Sequence, residues 1–146
     1  MRVGVIGAHA SRGWARAVHL PALLSLPDYE ITAVAGTSRE SARQAADVWG
    51  AKHAFADPQE LISHPDVDLV TISVQLPRRD GLVEAAISAG KHVYSEWPLA
   101  RSAEAAERLH ALAEQAGYGM PSGCRAGTTR RSGTCATWWP TARSAR

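Results

Sequence analysis

The sequence predicts an α/β fold in which a doubly wound, mostly parallel sheet lies between two layers of helices. Between residues 1 and 119, five apolar strand patterns alternate with five helix patterns, which is the order of a parallel sheet with crossover helices. The strand patterns are continuous and rich in β-branched residues, as expected where both faces of a strand are covered. In such folds, ligands bind beyond the carboxyl ends of the strands.

The first strand and helix enclose a loop that is bounded by glycines. The strand pattern ends at Gly7, and Gly13 opens an amphipathic segment that runs to about Leu24. In dinucleotide-binding folds such a turn directs backbone N–H groups and a helix N-terminus toward a pyrophosphate. The five residues between the two glycines include no third glycine, so the spacing departs from G-x-G-x-x-G. Taken alone, the loop fits a dinucleotide site and an ordinary tight turn equally well.

The remaining elements follow at the spacing of a short α/β domain. Thr37 with Glu40 forms a capping-box pattern, Asp57 precedes Pro58 as an N-cap, and Gly90 ends a helix. The strands are predicted at 30–36, 53–55, 68–74 and 92–95, and the helices at 37–50, 57–64, 80–89 and 102–116.

Charge and composition divide the chain near residue 120. Residues 1–119 hold 11 Lys and Arg against 14 Asp and Glu, whereas residues 120–146 hold five Arg and no acid. A chain of 146 residues is long enough for one domain without disulfides. Because it has no apolar run of membrane-spanning length and no signal-peptide pattern, we expect no membrane partner and a cytoplasmic location.

Several motifs together resemble the Gfo/Idh/MocA oxidoreductases. They are GVIG at 4–7, the GW pair at 13–14, HLPAL at 19–23 and AGKHVYSEWPLA at 89–100. The resemblance covers residue 1 to about residue 119 and implies an NAD(P)-binding Rossmann domain with its cofactor at the first βα turn. SRGWA and EWPL resemble the branch that contains the fungal galactose-pathway repressor. The family's separate substrate domain has no counterpart in this sequence, which we therefore expect to be truncated.

The resemblance also implies which loop residues hold the dinucleotide. Gly7, Ser11, Arg12 and Gly13 are expected to form the floor of the site, with His9 and Trp14 beside them. A lone loop histidine is equally an incidental residue. We expect His19, on the first helix, to pack rather than react.

The E-x-P motif departs from the family pattern at its centre. The family's lysine, which touches the nicotinamide and the substrate, corresponds to Trp97, between Glu96 and Pro98. An indole cannot replace an ammonium group as a proton donor, so no catalytic residue is assigned. Glu96 could hold a polar group of the cofactor or simply face solvent. Trp97 is better explained by packing on the cofactor ring or on another domain.

The end of the second strand favours NADP over NAD. NAD-preferring members place an acidic residue there for the ribose 2′-hydroxyl, whereas this chain has Thr37, Ser38 and Arg39. Hydroxyl groups and a guanidinium suit a 2′-phosphate. The alternative is that Thr37 only caps its helix.

The loop after the fourth strand supplies a further cofactor contact in this family. Val74 and Pro77 occupy it here, and Gly81 stands where the family has a histidine. Arg78 and Arg79 face either phosphate or water, and we favour water for at least one of them.

The basic tail from residue 120 admits three interpretations. The first is a nucleic-acid-binding arm, because arginines interleaved with tryptophans can contact phosphates and stack on bases. The second is a metal or redox segment, but Cys124 and Cys135 lack the neighbouring ligands of a zinc site, so no metal is expected. We favour a frameshift, because an alternative frame restores a family-like continuation; stops in that frame in the nucleotide sequence would refute it. Without Leu, Ile, Val or Phe, the tail is expected to be disordered from about Pro121. The sheet edge left exposed would then favour homo-oligomers.

From the sequence we therefore expect an NAD(P)-binding domain of an oxidoreductase that acts on a sugar or cyclitol. The chain by itself is expected to be inactive, since a small-molecule substrate would need a second domain. The alternative is a regulatory protein that senses the cofactor without turning it over.

Overall fold

The computed structural model describes residues 1–117 and 136–137, which form one sheet with helices on both faces. The sheet order is β3-β2-β1-β4-β5-β6, and every pairing from β3 to β5 is parallel. The strands are β1 Arg2–Ile6, β2 Glu30–Ala35, β3 His53–Phe55, β4 Leu69–Ile72, β5 His92–Ser95 and β6 Ala136–Thr137.

Helices follow the strands as the sequence predicts. They are α1 Leu20–Leu24, α2 Arg39–Trp49, α3 Pro58–Ser63, α4 Asp80–Ser88 and α5 Ala103–Gln115. The predicted first helix begins as a π-helical turn, Ala15–His19, that continues into α1, and a short 3₁₀ turn, Leu76–Arg78, precedes α4. The α/β fold class is confirmed.

Two apolar clusters cover the two faces of the sheet and produce the three layers. On one face, α1 and α2 pack on β1 through Val3 and Val5, with Leu20 fully buried. On the other face, helices α3 to α5 pack on Ile6 and Val70 and on their neighbours. Alternate residues of β1 therefore enter different clusters, as the two-residue period of a strand requires.

The strand order places a crevice at the carboxyl end of β1. The chain moves from β1 to β2 on one side and returns to β4 on the other. The loops that follow β1 and β4 consequently diverge to opposite faces, and the space between them is the usual ligand site of a doubly wound sheet.

The cap of α2 differs from the predicted one. Ser38, not Thr37, is the N-cap, and its hydroxyl accepts the Ser41 backbone N–H at 3.1 Å. The Ser41 hydroxyl accepts the Ser38 N–H in return, also at 3.1 Å. Ser41 thus takes the part predicted for Glu40, because the extended backbone falls at Ser38 (φ −151°, ψ 162°) and shifts the cap by one residue. The Thr37 hydroxyl is not used as a cap.

The sequence predicts that β5 is an exposed edge of the sheet, and this prediction is wrong at two of its residues. Tyr94 and Ser95 pair with Thr137 and Ala136 of β6, which runs antiparallel to β5. Disorder of the tail from Pro121 onward stays a prediction. The other residues predicted to be disordered lie outside the described part of the chain.

Within residues 1–117, no helix combines the length and the apolar character needed to cross a membrane.

Candidate dinucleotide site

An open cleft of about 640 Å³ lies at the carboxyl ends of β1, β2 and β4. Its walls come from the loop after β1, the turn between β2 and α2, and the segments that follow β3 and β4. The lining includes Gly7, His9, Arg12, Gly13, Gly36, Thr37, Val74 and Arg78.

Gly7 closes the floor of the cleft between β1 and β4. Its backbone has φ +90°, and a Cβ atom there would lie 2.2 Å from the carbonyl oxygen of Ser73. Only glycine permits this approach, so the end of β1 contacts the backbone that follows β4. Gly13 has a similar φ of +92°, but a Cβ atom there would meet nothing within 4 Å. The first glycine is thus required by both conformation and contact, and the second by conformation.

The loop between these glycines is held by its own side chains. The Trp49 indole N–H donates to the His9 carbonyl at 3.3 Å, which ties the loop to the end of α2. The His9 ring lies 3.1 Å from both the Ser11 backbone N–H nitrogen and the Arg12 Nε. A neutral imidazole has one acceptor nitrogen, so only one of these two bonds can be made at a time. The exposed Arg12 guanidinium therefore makes its hydrogen bond to His9 only part of the time, and it can turn toward an anion in the cleft.

The turn from β2 into α2 forms a second wall. A Cβ atom on Gly36 would lie 2.8 Å from the Ser41 hydroxyl oxygen and 3.0 Å from the Ala42 nitrogen. Glycine thus lets the first turn of α2 approach the end of β2. Thr37 lines the cleft, whereas the Ser38 hydroxyl is used as the helix cap and Arg39 is exposed at the first position of α2.

Glu96 faces inward, which rules out the solvent-facing alternative and leaves its predicted cofactor contact a prediction. Its side chain is about one-fifth exposed. Its Oε1 lies 2.5 Å from His19 Nε2 and accepts the Ser73 hydroxyl at 3.0 Å. His19 is buried and its ring meets the Tyr94 ring edge-on at 5.3 Å. The prediction that His19 packs is confirmed, and its bond to Glu96 was not foreseen.

Arg79 holds the segment that contains Trp97. The buried guanidinium donates to the carbonyl oxygens of Val74, Glu96 and Pro98 at 2.7–3.2 Å. The Trp97–Pro98 peptide bond is cis, and the Trp97 side chain is 78% exposed. Both alternatives predicted for Arg79, phosphate and water, are wrong because backbone carbonyls surround it, whereas Arg78 lines the cleft.

The cleft brings together six of the residues predicted for the cofactor. These are Gly7, His9, Arg12, Gly13, Thr37 and Val74. Eight others lie outside its lining: Ser11, Trp14, Ser38, Arg39, Pro77, Glu96, Trp97 and Pro98. The lining also includes residues that were not predicted, among them Ala56, Pro58 and Arg78. Ala56 directly follows the predicted third strand, so strand-end position alone was a signal that could have identified it.

A glycine-bounded loop at the switch point of a doubly wound sheet defines a dinucleotide-binding domain. Residues 1–120 match the family model described as "Oxidoreductase family, NAD-binding Rossmann fold", GFO_IDH_MocA. The chain belongs to the Gfo/Idh/MocA family, and its described domain is the NAD(P)-binding domain of that family.

Similar proteins include enzymes and a regulator. The dehydrogenase aclE of Aspergillus oryzae is 42% identical over 115 residues, which cover 75% of this chain and 31% of that protein. The galactose/lactose metabolism regulatory protein GAL80 of Kluyveromyces lactis is 26% identical over 79% of this chain and 27% of its own length. A crystal structure of KijD10, a 3-ketoreductase from Actinomadura kijaniata in complex with TDP-benzene and NADP, superposes with a TM-score of 0.74. It is 33% identical and covers 80% of this chain and 36% of KijD10. The chain spans about a third of the length of the curated relatives it matches.

Proposed function

We propose that residues 1–119 are an NADP-preferring cofactor domain of an oxidoreductase that acts on a sugar or cyclitol. The cleft between Gly7 and Thr37 carries this proposal, because it joins the first βα loop to the end of β2. A dinucleotide must span these two points when its pyrophosphate lies at the loop and its adenosine ribose lies at the second strand.

In this proposal the pyrophosphate lies over Gly7 and Gly13. Positive φ at both residues opens the backbone to a close approach by phosphate oxygens. Arg12 lies in the cleft lining, and the bond from its guanidinium to His9 competes with the bond from the Ser11 N–H. A charge-assisted bond to a phosphate is stronger than that bond, so we expect Arg12 to turn toward the ligand.

The preference for NADP rests on the groups at the start of α2. No carboxylate follows β2 directly, since Gly36, Thr37 and Ser38 come first. Thr37 offers a hydroxyl that is not used as a cap, and Arg39 is exposed one residue beyond the cap. The N-terminus of the 11-residue α2 favours an anion at the same place. A 2′-phosphate fits these groups, whereas a ribose diol would have no acidic acceptor.

Trp97 explains why we expect the chain by itself not to turn over a substrate. The family's proton-donating lysine corresponds to this residue, and an exposed indole has no exchangeable acid of the required strength. KijD10 was crystallised with NADP and TDP-benzene, and GAL80 is named for galactose and lactose metabolism. Similar proteins named dTDP-3,4-didehydro-2,6-dideoxy-alpha-D-glucose 3-reductase and myo-inositol 2-dehydrogenase support a sugar- or cyclitol-type substrate for the complete protein. We propose residues 120–146 as a basic tail that follows the cofactor domain and contributes only Ala136 and Thr137 of β6 to its sheet.

Trp97 also supports a second candidate function, that of a regulatory protein that binds the cofactor without reaction. An exposed Trp97, two residues after the end of β5, is suited to packing against a partner or a neighbouring domain. The similarity to GAL80 supports this alternative.

Fluorescence titration with NADPH and with NADH tests the proposal. We expect saturable binding at one site per chain, with NADPH bound at least about tenfold more tightly because a 2′-phosphate bond contributes about 1.5–3 kcal/mol. Assays with a panel of sugars and cyclitols are then run on the chain and on a full-length relative that carries tryptophan at this position. Turnover by the relative favours the enzyme, and binding without turnover favours the regulator. Absence of binding by either cofactor refutes both candidates.

A further inference from the structure

Three side chains with metal-ligand chemistry meet near the amino ends of β3 and β4, whereas the cleft lies at the carboxyl ends of the strands. They are His53, the first residue of β3; His64, which follows α3; and Asp66, in the turn that leads to β4. One ligand atom from each lies within 4.8 Å of the other two. All three residues are partly buried, so the cluster has one side on the protein and one on solvent.

One distance within the cluster equals that between two ligands of the same metal ion. His53 Nε2 lies 3.2 Å from Asp66 Oδ2. Two ligands bonded to one ion at about 2.1 Å, with tetrahedral to octahedral angles between them, are about 3.0–3.4 Å apart. The His53 and His64 rings are also close, with centroids 4.1 Å apart. The ligand atom of His64 lies within 4.8 Å of the other two, so this side chain must move closer for all three to bind one ion.

Outer contacts orient the carboxylate toward this shell. Arg2 Nη1 donates to Asp66 Oδ1 at 3.0 Å, which leaves Oδ2 directed at His53. The Thr32 hydroxyl donates to the Asp66 carbonyl at 2.6 Å and fixes the backbone. Ligating carboxylates in metalloproteins are supported in the same way by hydrogen bonds from the next layer.

We propose that His53, His64 and Asp66 bind one divalent transition-metal ion of the Zn²⁺ type. Two imidazoles and a carboxylate are a ligand set that zinc accepts, and water completes the coordination on the solvent side. On binding, the proton on His53 Nε2 moves to Nδ1. The bond that His64 Nδ1 accepts from the Asp66 N–H, 3.1 Å long, is replaced by the bond to the metal.

The role of this ion would be structural. β3 has only three residues and lies at the edge of the sheet, so few ladder bonds hold it. A metal would clamp His53 of this strand to the turn between α3 and β4. Because it stabilises only the folded chain, such an ion raises the unfolding temperature as its concentration increases.

Calorimetry with ZnCl₂ and absorption spectroscopy with CoCl₂ test the site on the full, tag-free chain. Every protein carries Cys124→Ser and Cys135→Ser, so that tail thiolates do not compete. We expect one ion per chain, visible Co²⁺ bands typical of nitrogen and oxygen ligands, and a higher melting temperature with Zn²⁺. His53→Gln and His64→Gln should each weaken binding at least about 100-fold, since even outer-layer changes cost about 10- to 100-fold.

His110→Gln is the matched control, because His110 forms a similar histidine–carboxylate pair with Glu114 on α5. It should leave binding unchanged. Circular dichroism without metal establishes that each glutamine variant is folded. Saturable binding that His53→Gln and His64→Gln leave intact would overturn the proposal, as would the absence of one-to-one binding by the parent. Neither result bears on NADPH titrations, which test the cleft separately.

Discussion

His19 and Glu96 are 77 residues apart in sequence, and their side chains meet at 2.5 Å between Nε2 and Oε1. The bond joins the first helical segment to the end of β5. Ser73 donates to the same carboxylate oxygen, and Arg79 Nη2 lies 3.7 Å from the other one. Glu96 therefore connects the loops after β4 and β5 to the helical layer on one face of the sheet.

Glu96→Ala should destabilise the domain by about 3 kcal/mol, because it leaves the buried His19 and Arg79 without their carboxylate partner. Glu96→Gln should cost less, about 1.5 kcal/mol, since its amide oxygen still accepts the Ser73 hydroxyl. Urea unfolding followed by circular dichroism measures both variants. Glu107→Gln, on an exposed position of α5, should stay within about 0.5 kcal/mol of the parent. A value for Glu96→Ala within that same range would show that the network contributes no stability.

Gly7→Ala and Gly13→Ala separate backbone strain from close contact in the cofactor loop. Both residues have φ near +90°, but only at Gly7 would the new methyl group meet a backbone atom. Gly13→Ala should cost about 1–2 kcal/mol from conformation alone. Gly7→Ala should cost about 2 kcal/mol more, because the carbonyl of Ser73 must move. Thermal and urea unfolding provide the comparison, and equal costs for the two variants would contradict the role of the Ser73 contact.

The alternation of strands and helices could be read from the sequence because it depends on local patterns. β-branched runs predicted β1, β2 and β4, and the Asp57 cap is present, with its carboxylate accepting the Gln59 N–H at 2.9 Å. The cap of α2 was misassigned because Thr37 and Ser38 are both good cap residues. Only the backbone conformation distinguishes them.

The contacts around the cleft could not be predicted in the same way, since their partners are distant in sequence. Arg79 binds carbonyls that belong to the ends of two different segments, and a carbonyl leaves no signature in residue type. For Glu96 the sequence left open a contact with the cofactor or with solvent, and neither alternative indicated its bonds to His19 and Ser73. Gly7, by contrast, could be predicted, because a chain that turns sharply at the end of a buried strand requires glycine.

Arg39→Asp should reverse the proposed cofactor preference. The substitution removes a cation from the first turn of α2 and supplies a carboxylate that can accept bonds from a ribose diol. NADPH affinity should fall by about 10- to 100-fold, as expected for loss of a charge-assisted phosphate bond, while NADH affinity stays equal or rises. Fluorescence titrations with both cofactors measure the change. Arg43→Ala, an exposed change one turn further along α2, should leave the ratio of the two affinities unchanged. An equal loss for both cofactors in Arg39→Asp would indicate that Arg39 does not contact the 2′-phosphate.

Asp68 makes the stability of the domain sensitive to acid. Its carboxylate accepts three bonds from Arg2, two from the guanidinium and one from the backbone N–H. These bonds lower the pKa of Asp68 to about 2. A carboxyl group with a lowered folded-state pKa contributes stability above its unfolded pKa of about 3.9, and this contribution is lost as the pH falls toward 2.

Asp68→Asn should therefore cost about 1 kcal/mol or less near pH 7, because the pair is partly exposed to solvent. The difference between parent and variant should shrink steadily between pH 5 and pH 2.5, as protonation removes from the parent what the amide already lacks. Urea unfolding at a series of pH values measures this difference. Glu30→Gln, which breaks the more exposed pair with Lys52, controls for general effects of charge. A difference between parent and Asp68→Asn that stays constant down to pH 2.5 would mean that the Arg2 contacts do not hold the carboxylate ionised.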